Sequence, residues 1–179
     1  ADDIFDAVWF ANTSQYLTDE ELNATLAELQ RVVRPGGLVA LKESDTSMIR
    51  VHPGPPGLIL RWFDAVAAAG IGHWGNGPRG PSLPGRVRRS GLTDVWQRTT
   101  LIERSAPFDP VVRATWWGLF RYLTALAPEL DVPAADQKFL AGISDREAFE
   151  RFLDNPDCWL IEGNILTVGA VSRETPIPA

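Results

Sequence analysis

Residues 4–42 carry the pattern that most restricts this chain: an apolar run, a capped amphipathic helix, a proline-glycine stop and a second apolar run. Ile4-Phe5-Asp6-Ala7-Val8-Trp9-Phe10 is rich in aromatic and branched side chains, which predicts a buried strand. A polar loop follows from Ala11 to Leu17. Thr18-Asp19-Glu20-Glu21 then has capping-box spacing, a hydroxyl followed three residues later by a carboxylate. Its acidic residues also suit the positive end of a helix dipole. Leu22, Leu26, Leu29 and Val33 recur at helical spacing, with Arg31 and Arg34 toward the end where cations are favoured. Pro35-Gly36-Gly37 stops the helix. Leu38-Val39-Ala40-Leu41 predicts the next strand, and Lys42-Glu43-Ser44-Asp45 turns polar where that strand is expected to end. Two buried strands joined by one helix require a parallel pair with a right-handed crossover, one half of a doubly wound α/β sheet.

The rest of the chain supplies further elements. Residues 51–57, rich in Pro and Gly, predict a loop, and Gly57 to Ala69 a helix with Leu60, Phe63, Val66 and Ala67 on one side. Residues 70–85 hold six Gly and three Pro, a long irregular segment. Arg86 to Ser90 predicts a short helix and Leu92 to Arg104 a strand of mixed burial. Asp109-Pro110 starts a helix running to about Leu126, with Val112, Trp116, Leu119, Phe120 and Leu123 inward. Ser144-Asp145-Arg146-Glu147 reads as a second capping box, with its helix ending near Leu153. Trp159 to Val171 predicts the last strand.

Composition narrows the function classes. With 179 residues, 45% of them hydrophobic and 22% charged, the chain reads as one globular domain. A net charge of −6 argues against a phosphate-tracking groove, and the cluster Arg86, Arg88, Arg89 reads as a solvated face; no nucleic-acid partner is expected. Cys158 is the only cysteine, so no disulfide forms within the chain and no cysteine metal site is possible. His52 and His73 lack the close pairing of a metal site, and no metal is expected. The apolar stretch near 111–127 is broken by Arg113 and Arg121, so no membrane span is expected, and a cytoplasmic setting fits. The chain begins at Ala1 and enters a strand almost at once, which suggests a truncated start.

Taken in order, Phe5-Asp6-Ala7-Val8, Leu17-Thr18-Asp19 and Leu29-x-Arg31-Val32-Val33-Arg34-Pro35-Gly36-Gly37, then an apolar strand ending in acidic residues, resemble the class I S-adenosylmethionine-dependent methyltransferases. The resemblance covers about residues 3–45 and implies strand four, the following helix and strand five of that family. Ser90-Gly91-Leu92 looks like the family's entry to strand six, and Trp159–Val171 like its antiparallel strand seven. The implied fold is a partial Rossmann-like methyltransferase sheet, strands four to seven, with a helical, aromatic-rich insertion at 105–158 before the last strand. The family's glycine-rich cofactor turn and ribose-binding carboxylate belong to units ahead of this stretch. The 70–80 segment does not lie between a buried strand and a helix, so it is not that turn.

By resemblance, Phe10, Ala11 and Asn12 lie under the methionine portion of S-adenosylmethionine, and Gln15 and Tyr16 face the transferring methyl. Many relatives carry His where Gln15 stands, and glutamine cannot act as a base. Asn12 and Gln15 have a second reading as loop hydrogen-bonding residues. Glu43 and Asp45 fall at a strand end, where open α/β sheets place ligands; they read as substrate-orienting carboxylates or as solvated loop acids. His52 is a candidate base or an incidental loop histidine. Trp62, His73 and Trp74 are candidate pocket walls, and Trp62 reads equally as core. The expected partner is a small-molecule substrate, with the insertion forming a cap or a homodimer surface. Two alternatives stand beside this: a non-catalytic methyltransferase-like module, and a methyltransferase acting on protein α-amino groups. The second is suggested by 17–22 and 41–44, but Ser44 stands where those enzymes carry Asn. A nicotinamide dehydrogenase requires a parallel final strand, which fits the later elements poorly.

Overall fold

A computed structural model describes residues 2–71 and 79–172. Its element order is β1 (Phe5–Ala11), α1 (Asp19–Val32), β2 (Val33–His52), α2 (Leu58–Ala68), α3 (Leu83–Arg89), β3 (Thr93–Ser105), α4 (Pro110–Leu126), α5 (Ala134–Gly142), α6 (Arg146–Leu153) and β4 (Trp159–Ala170). The strands form one sheet in the order β1-β2-β4-β3. The chain divides into two compact units: residues 1–45, 78–100 and 164–179, and residues 46–77 and 101–163.

The first unit is built on the strand–helix–strand segment. β1 and β2 are parallel, with Ala7 opposite Leu38 and Ala11 opposite Lys42. Thr18 caps α1: its side chain accepts from the Glu21 N–H, while the Glu21 carboxylate accepts from the Thr18 N–H at 2.8 Å. Such a cap contributes about 1 kcal/mol. The helix ends at Val32, earlier than its stripe suggests, because Val33 turns extended and enters the core of β2. Gly37 sits where the strands approach closely; a Cβ there would stand 2.6 Å from the Asp6 carbonyl oxygen. The core of this unit is Leu22, Leu26, Val33, Val39, Leu41, Leu83, Val87 and Leu92.

β4 is antiparallel to β2 in this unit: Val171 exchanges backbone hydrogen bonds with Gly36 and Gly37, while Ser44 meets Asn164. It is antiparallel to β3 as well, Thr93 meeting Ala170 and Gln97 meeting Thr167. A parallel set with one reversed strand is the expected topology.

β2 runs ten residues past the predicted end, and the polar stretch 42–45 lies inside it. Burial alternates along it, Val39, Leu41, Glu43 and Asp45 being buried and the residues between them more exposed. The period-two pattern of a strand thus continues with carboxylates in two inward positions.

The second unit has its own core, in which Trp62 of α2, Phe120 of α4 and Phe149 of α6 are fully buried. α4 begins as expected, Asp109 accepting from the Val112 N–H at 2.9 Å, and turns Val112, Trp116, Phe120 and Leu123 inward. α2 buries Leu58, Ile59, Trp62, Phe63 and Val66, a stripe rotated from the predicted one by the burial of Trp62. The cap of α6 is Asp145 rather than Ser144; Asp145 accepts from Ala148 at 2.8 Å, and the Ser144 hydroxyl donates back to Ala141. α5 was not predicted. Its Asp136 is buried and takes a two-pronged hydrogen bond from Arg61 at 2.7 and 2.8 Å.

Candidate functional site

β1 ends on Ala11, and Asn12 leaves the sheet in a left-handed conformation, φ 52°. Asparagine tolerates that region better than most residues, because its short side chain can hydrogen-bond locally. The Asn12 N–H still donates to the Lys42 carbonyl at 2.8 Å, so the turn starts at the last sheet bond. A short 3-10 turn, Ser14–Tyr16, follows directly. Phe10, Ala11, Asn12, Gln15 and Tyr16 therefore come together at the C-terminal end of β1. Phe10, Ala11 and Gln15 are half-buried; Asn12 and Tyr16 are exposed.

Glu43 organises this turn. It is 2% exposed, and its Oε1 accepts from the backbone N–H of Ser14 at 2.9 Å and of Thr13 at 3.2 Å. Among the described residues, its Oε2 and the Ser14 hydroxyl are buried with no hydrogen-bond partner. Asp45 is 1% exposed. Neither acid is a solvated loop residue at a strand end: each takes a buried, inward position within β2.

Beyond the turn, two arginines hold the start of α1. Arg79 and Arg86 each bond the Asp19 carboxylate at 2.8 Å. The Arg86 and Arg79 hydrogen bonds hold the Asp19 carboxyl below its ordinary value, against the opposing effect of burial. Sequence reading put Arg86 on a solvated face; only its distant partner Asp19 reveals the clamp.

His52 and Trp62 belong to the second unit. His52 is exposed and lines a cavity of about 160 Å³ with Val51, Pro55, Leu58 and Trp159. Trp62 is a core residue and not a pocket wall: it is fully buried, and its indole N–H donates to the Leu123 carbonyl at 3.1 Å. His73 and Trp74 lie outside the described residues. Among the described residues, no group of three His, Cys, Asp or Glu side chains is placed to hold a metal ion. Among them, too, no helix is long and apolar enough to cross a membrane.

Residues 1–41 match the methyltransferase domain family. No curated protein matches the sequence. Similar solved structures include phosphoethanolamine N-methyltransferase 2 from Haemonchus contortus in complex with S-adenosyl-L-methionine, 12% identical over 96% of this chain and 34% of that one, TM-score 0.45. An S-adenosylmethionine-dependent methyltransferase from Archaeoglobus fulgidus is 12% identical over 94% of this chain and 60% of that one, TM-score 0.41. An arsenic(III) S-adenosylmethionine methyltransferase from Chlamydomonas reinhardtii is 16% identical over 99% of this chain and 40% of that one, TM-score 0.39. The chain spans about a third of the length of the Haemonchus contortus enzyme.

Proposed function

We propose that this chain forms part of a class I, S-adenosylmethionine-dependent methyltransferase that transfers a methyl group to an O, N or C atom of a small molecule; the match of residues 1–41 to the methyltransferase domain family supports the reading. The observation that carries the reading is the turn after β1. The matched segment ends its first strand on Ala11, the chain leaves the sheet at Asn12, and Glu43 then accepts from the next two backbone amides, Thr13 and Ser14. Open α/β sheets bind ligands at that end of their strands.

The residues fit part of a cofactor site. Asn12 offers an exposed amide at the strand end, and Phe10 and Ala11 form a half-buried floor beside it. S-adenosylmethionine supplies an activated methyl on a sulfonium, already a good leaving group. The protein's share is alignment, and orientation alone can account for much of such a rate. On this reading Gln15 and Tyr16 flank the reacting atoms, and Glu43 is a positioning residue that holds their turn. Gln15 carries no titratable proton, so it orients the acceptor and does not deprotonate it.

The test is label transfer. The protein is incubated with methyl-labelled S-adenosylmethionine and a panel of small amines, alcohols, phenols and carbon acids. Label is expected in the small-molecule fraction, with Gln15→Ala lowering kcat by about tenfold or more through lost alignment. Label appearing on peptide α-amino groups instead favours a protein substrate. No transfer to any acceptor, with no cofactor bound, contradicts the reading.

A further inference from the structure

Where β1 ends against β2 stands a cation, Lys42, with no carboxylate beside it among the described residues. Lys42 donates from Nζ to Asn12 Oδ1 at 2.9 Å and to Ser44 Oγ at 3.2 Å. Ser44 Oγ in turn lies 3.3 Å from Asn164 Oδ1 on β4. Lys42 and Ser44 are two residues apart on β2, so they share the face opposite Glu43 and Asp45. The four side chains thus come from β1, β2 and β4 and meet at one point of the first unit. Among the described residues no carboxylate pairs with Lys42.

The direction of these bonds decides what the cluster recognises. Both asparagine carbonyl oxygens are engaged, Asn12 by Lys42 and, at 3.4 Å, by the Ser44 hydroxyl, and Asn164 by the same hydroxyl. The Ser44 oxygen is engaged by Lys42. The ammonium has a third proton, and the two asparagine amides beside it also carry NH2 donors. One positive charge with amide donors beside it is complementary to an oxyanion. It repels a cation and favours an oxyanion over an uncharged acceptor.

The residue choice points the same way. The chain has fifteen arginines and two lysines, Lys42 and Lys138. An arginine at 42 would present a broad planar fork, whereas the ammonium is a compact point charge with three freely directed donors. The ammonium bonds Asn12 and Ser44 at once, which suits the second geometry.

We propose that Lys42, Asn12, Ser44 and Asn164 form a subsite for a carboxylate group of the bound ligand. The proposal deepens the methyltransferase reading, but the subsite is testable as an anion site whether or not methyl transfer is found. The carboxylate has two possible sources, the amino-acid end of the cofactor and the methyl acceptor.

Because there are only two lysines, the full chain grown with 13C-lysine gives two sets of side-chain signals, and Lys138 is the internal control. Acetate, phosphate and S-adenosylhomocysteine are titrated separately, with chloride at matched ionic strength. The Lys42 Cε–Hε signal is expected to move saturably with acetate while Lys138 stays still. Asn164→Asp, which keeps Lys42 visible but supplies an internal anion, should weaken the acetate response about tenfold or more. S-adenosylhomocysteine acting at a tenfold or more lower concentration than acetate assigns the carboxylate to the cofactor; similar or weaker action assigns it to the acceptor. A Lys42 response equal to that of Lys138, or equal in chloride, overturns the subsite. Phosphate binding better than acetate overturns its assignment to a carboxylate.

Discussion

The Glu43 carboxylate lies 2.9 Å from the backbone nitrogen of Ser14, a bond between residues 29 apart that fastens β2 to the turn after β1. With the second bond to Thr13, one side chain satisfies two amides that the sheet cannot reach. Glu43→Ala leaves both donors unpaired in a closed site and should cost about 1–3 kcal/mol. Glu43→Gln keeps an acceptor and should cost less than half as much. Urea unfolding midpoints of the two variants measure the difference, and an unchanged midpoint for Glu43→Ala contradicts this role.

Two glycines separate close approach from mere flexibility. A Cβ on Gly37 would stand 2.5 Å from Val33 Cγ1 and 2.6 Å from the Asp6 carbonyl oxygen. Gly37→Ala should therefore destabilise by about 1–3 kcal/mol through forced separation of β1 and β2. Gly118 lies inside α4 with nothing within 4 Å of its virtual Cβ. Gly118→Ala should stabilise by about 0.5–1 kcal/mol, by helix propensity and a less free unfolded chain. Thermal melts of both variants should move in opposite directions.

Arg61 and Asp136 join α2 to α5 in the second unit. The carboxylate is buried and accepts two hydrogen bonds, while Arg61 also donates to the Pro56 carbonyl at 2.6 Å. Asp136→Ala should cost about 1.5–3 kcal/mol, the range for charged hydrogen bonds, because Arg61 is part-exposed and regains some solvation. Arg61→Met removes the partner and leaves the carboxylate buried alone, so it should cost at least as much. Chemical denaturation of the pair checks the order.

Cys158 is buried, and burial pushes its thiol up from 9.0 to about 11, with Arg113 pulling weakly the other way. The folded chain holds this proton more tightly than the unfolded one. The resulting stability is complete below pH 9.0 and is lost as pH rises through about 11. Thiolate absorbance of the native protein should titrate with a midpoint near 11, and iodoacetamide at pH 8 should react far faster after urea unfolding. Equal reaction rates before and after unfolding contradict the burial effect.

The local part of the fold was legible in the sequence. The Thr18–Glu21 cap, the Asp109 cap and the Pro-Gly-Gly stop act over a few residues, so their spacing alone reveals them. Long-range pairings were not. Glu43 and Asp45 were read as the polar end of a strand because nothing nearby shows that the amides of Thr13 and Ser14 await a carboxylate. Trp62 was equally core or pocket wall until Leu123, distant in sequence, supplied its acceptor. α5 escaped notice because its apolar stripe is weak and Asp136 holds an inward position only by virtue of Arg61. The four-residue cluster around Lys42 needed three strands in register before its side chains met.

The most direct test of the central claim is the backbone amide spectrum of the 15N-labelled protein, titrated with S-adenosylhomocysteine to millimolar concentration. The account predicts that signals from Phe10 to Tyr16 and at Lys42 move together and saturably, with Val132, Phe149 and Leu153 of the second unit's core unmoved. Saturable movement elsewhere while Phe10 to Tyr16 stay fixed, or no movement of any signal, contradicts the placement of a methyltransferase cofactor at the end of β1.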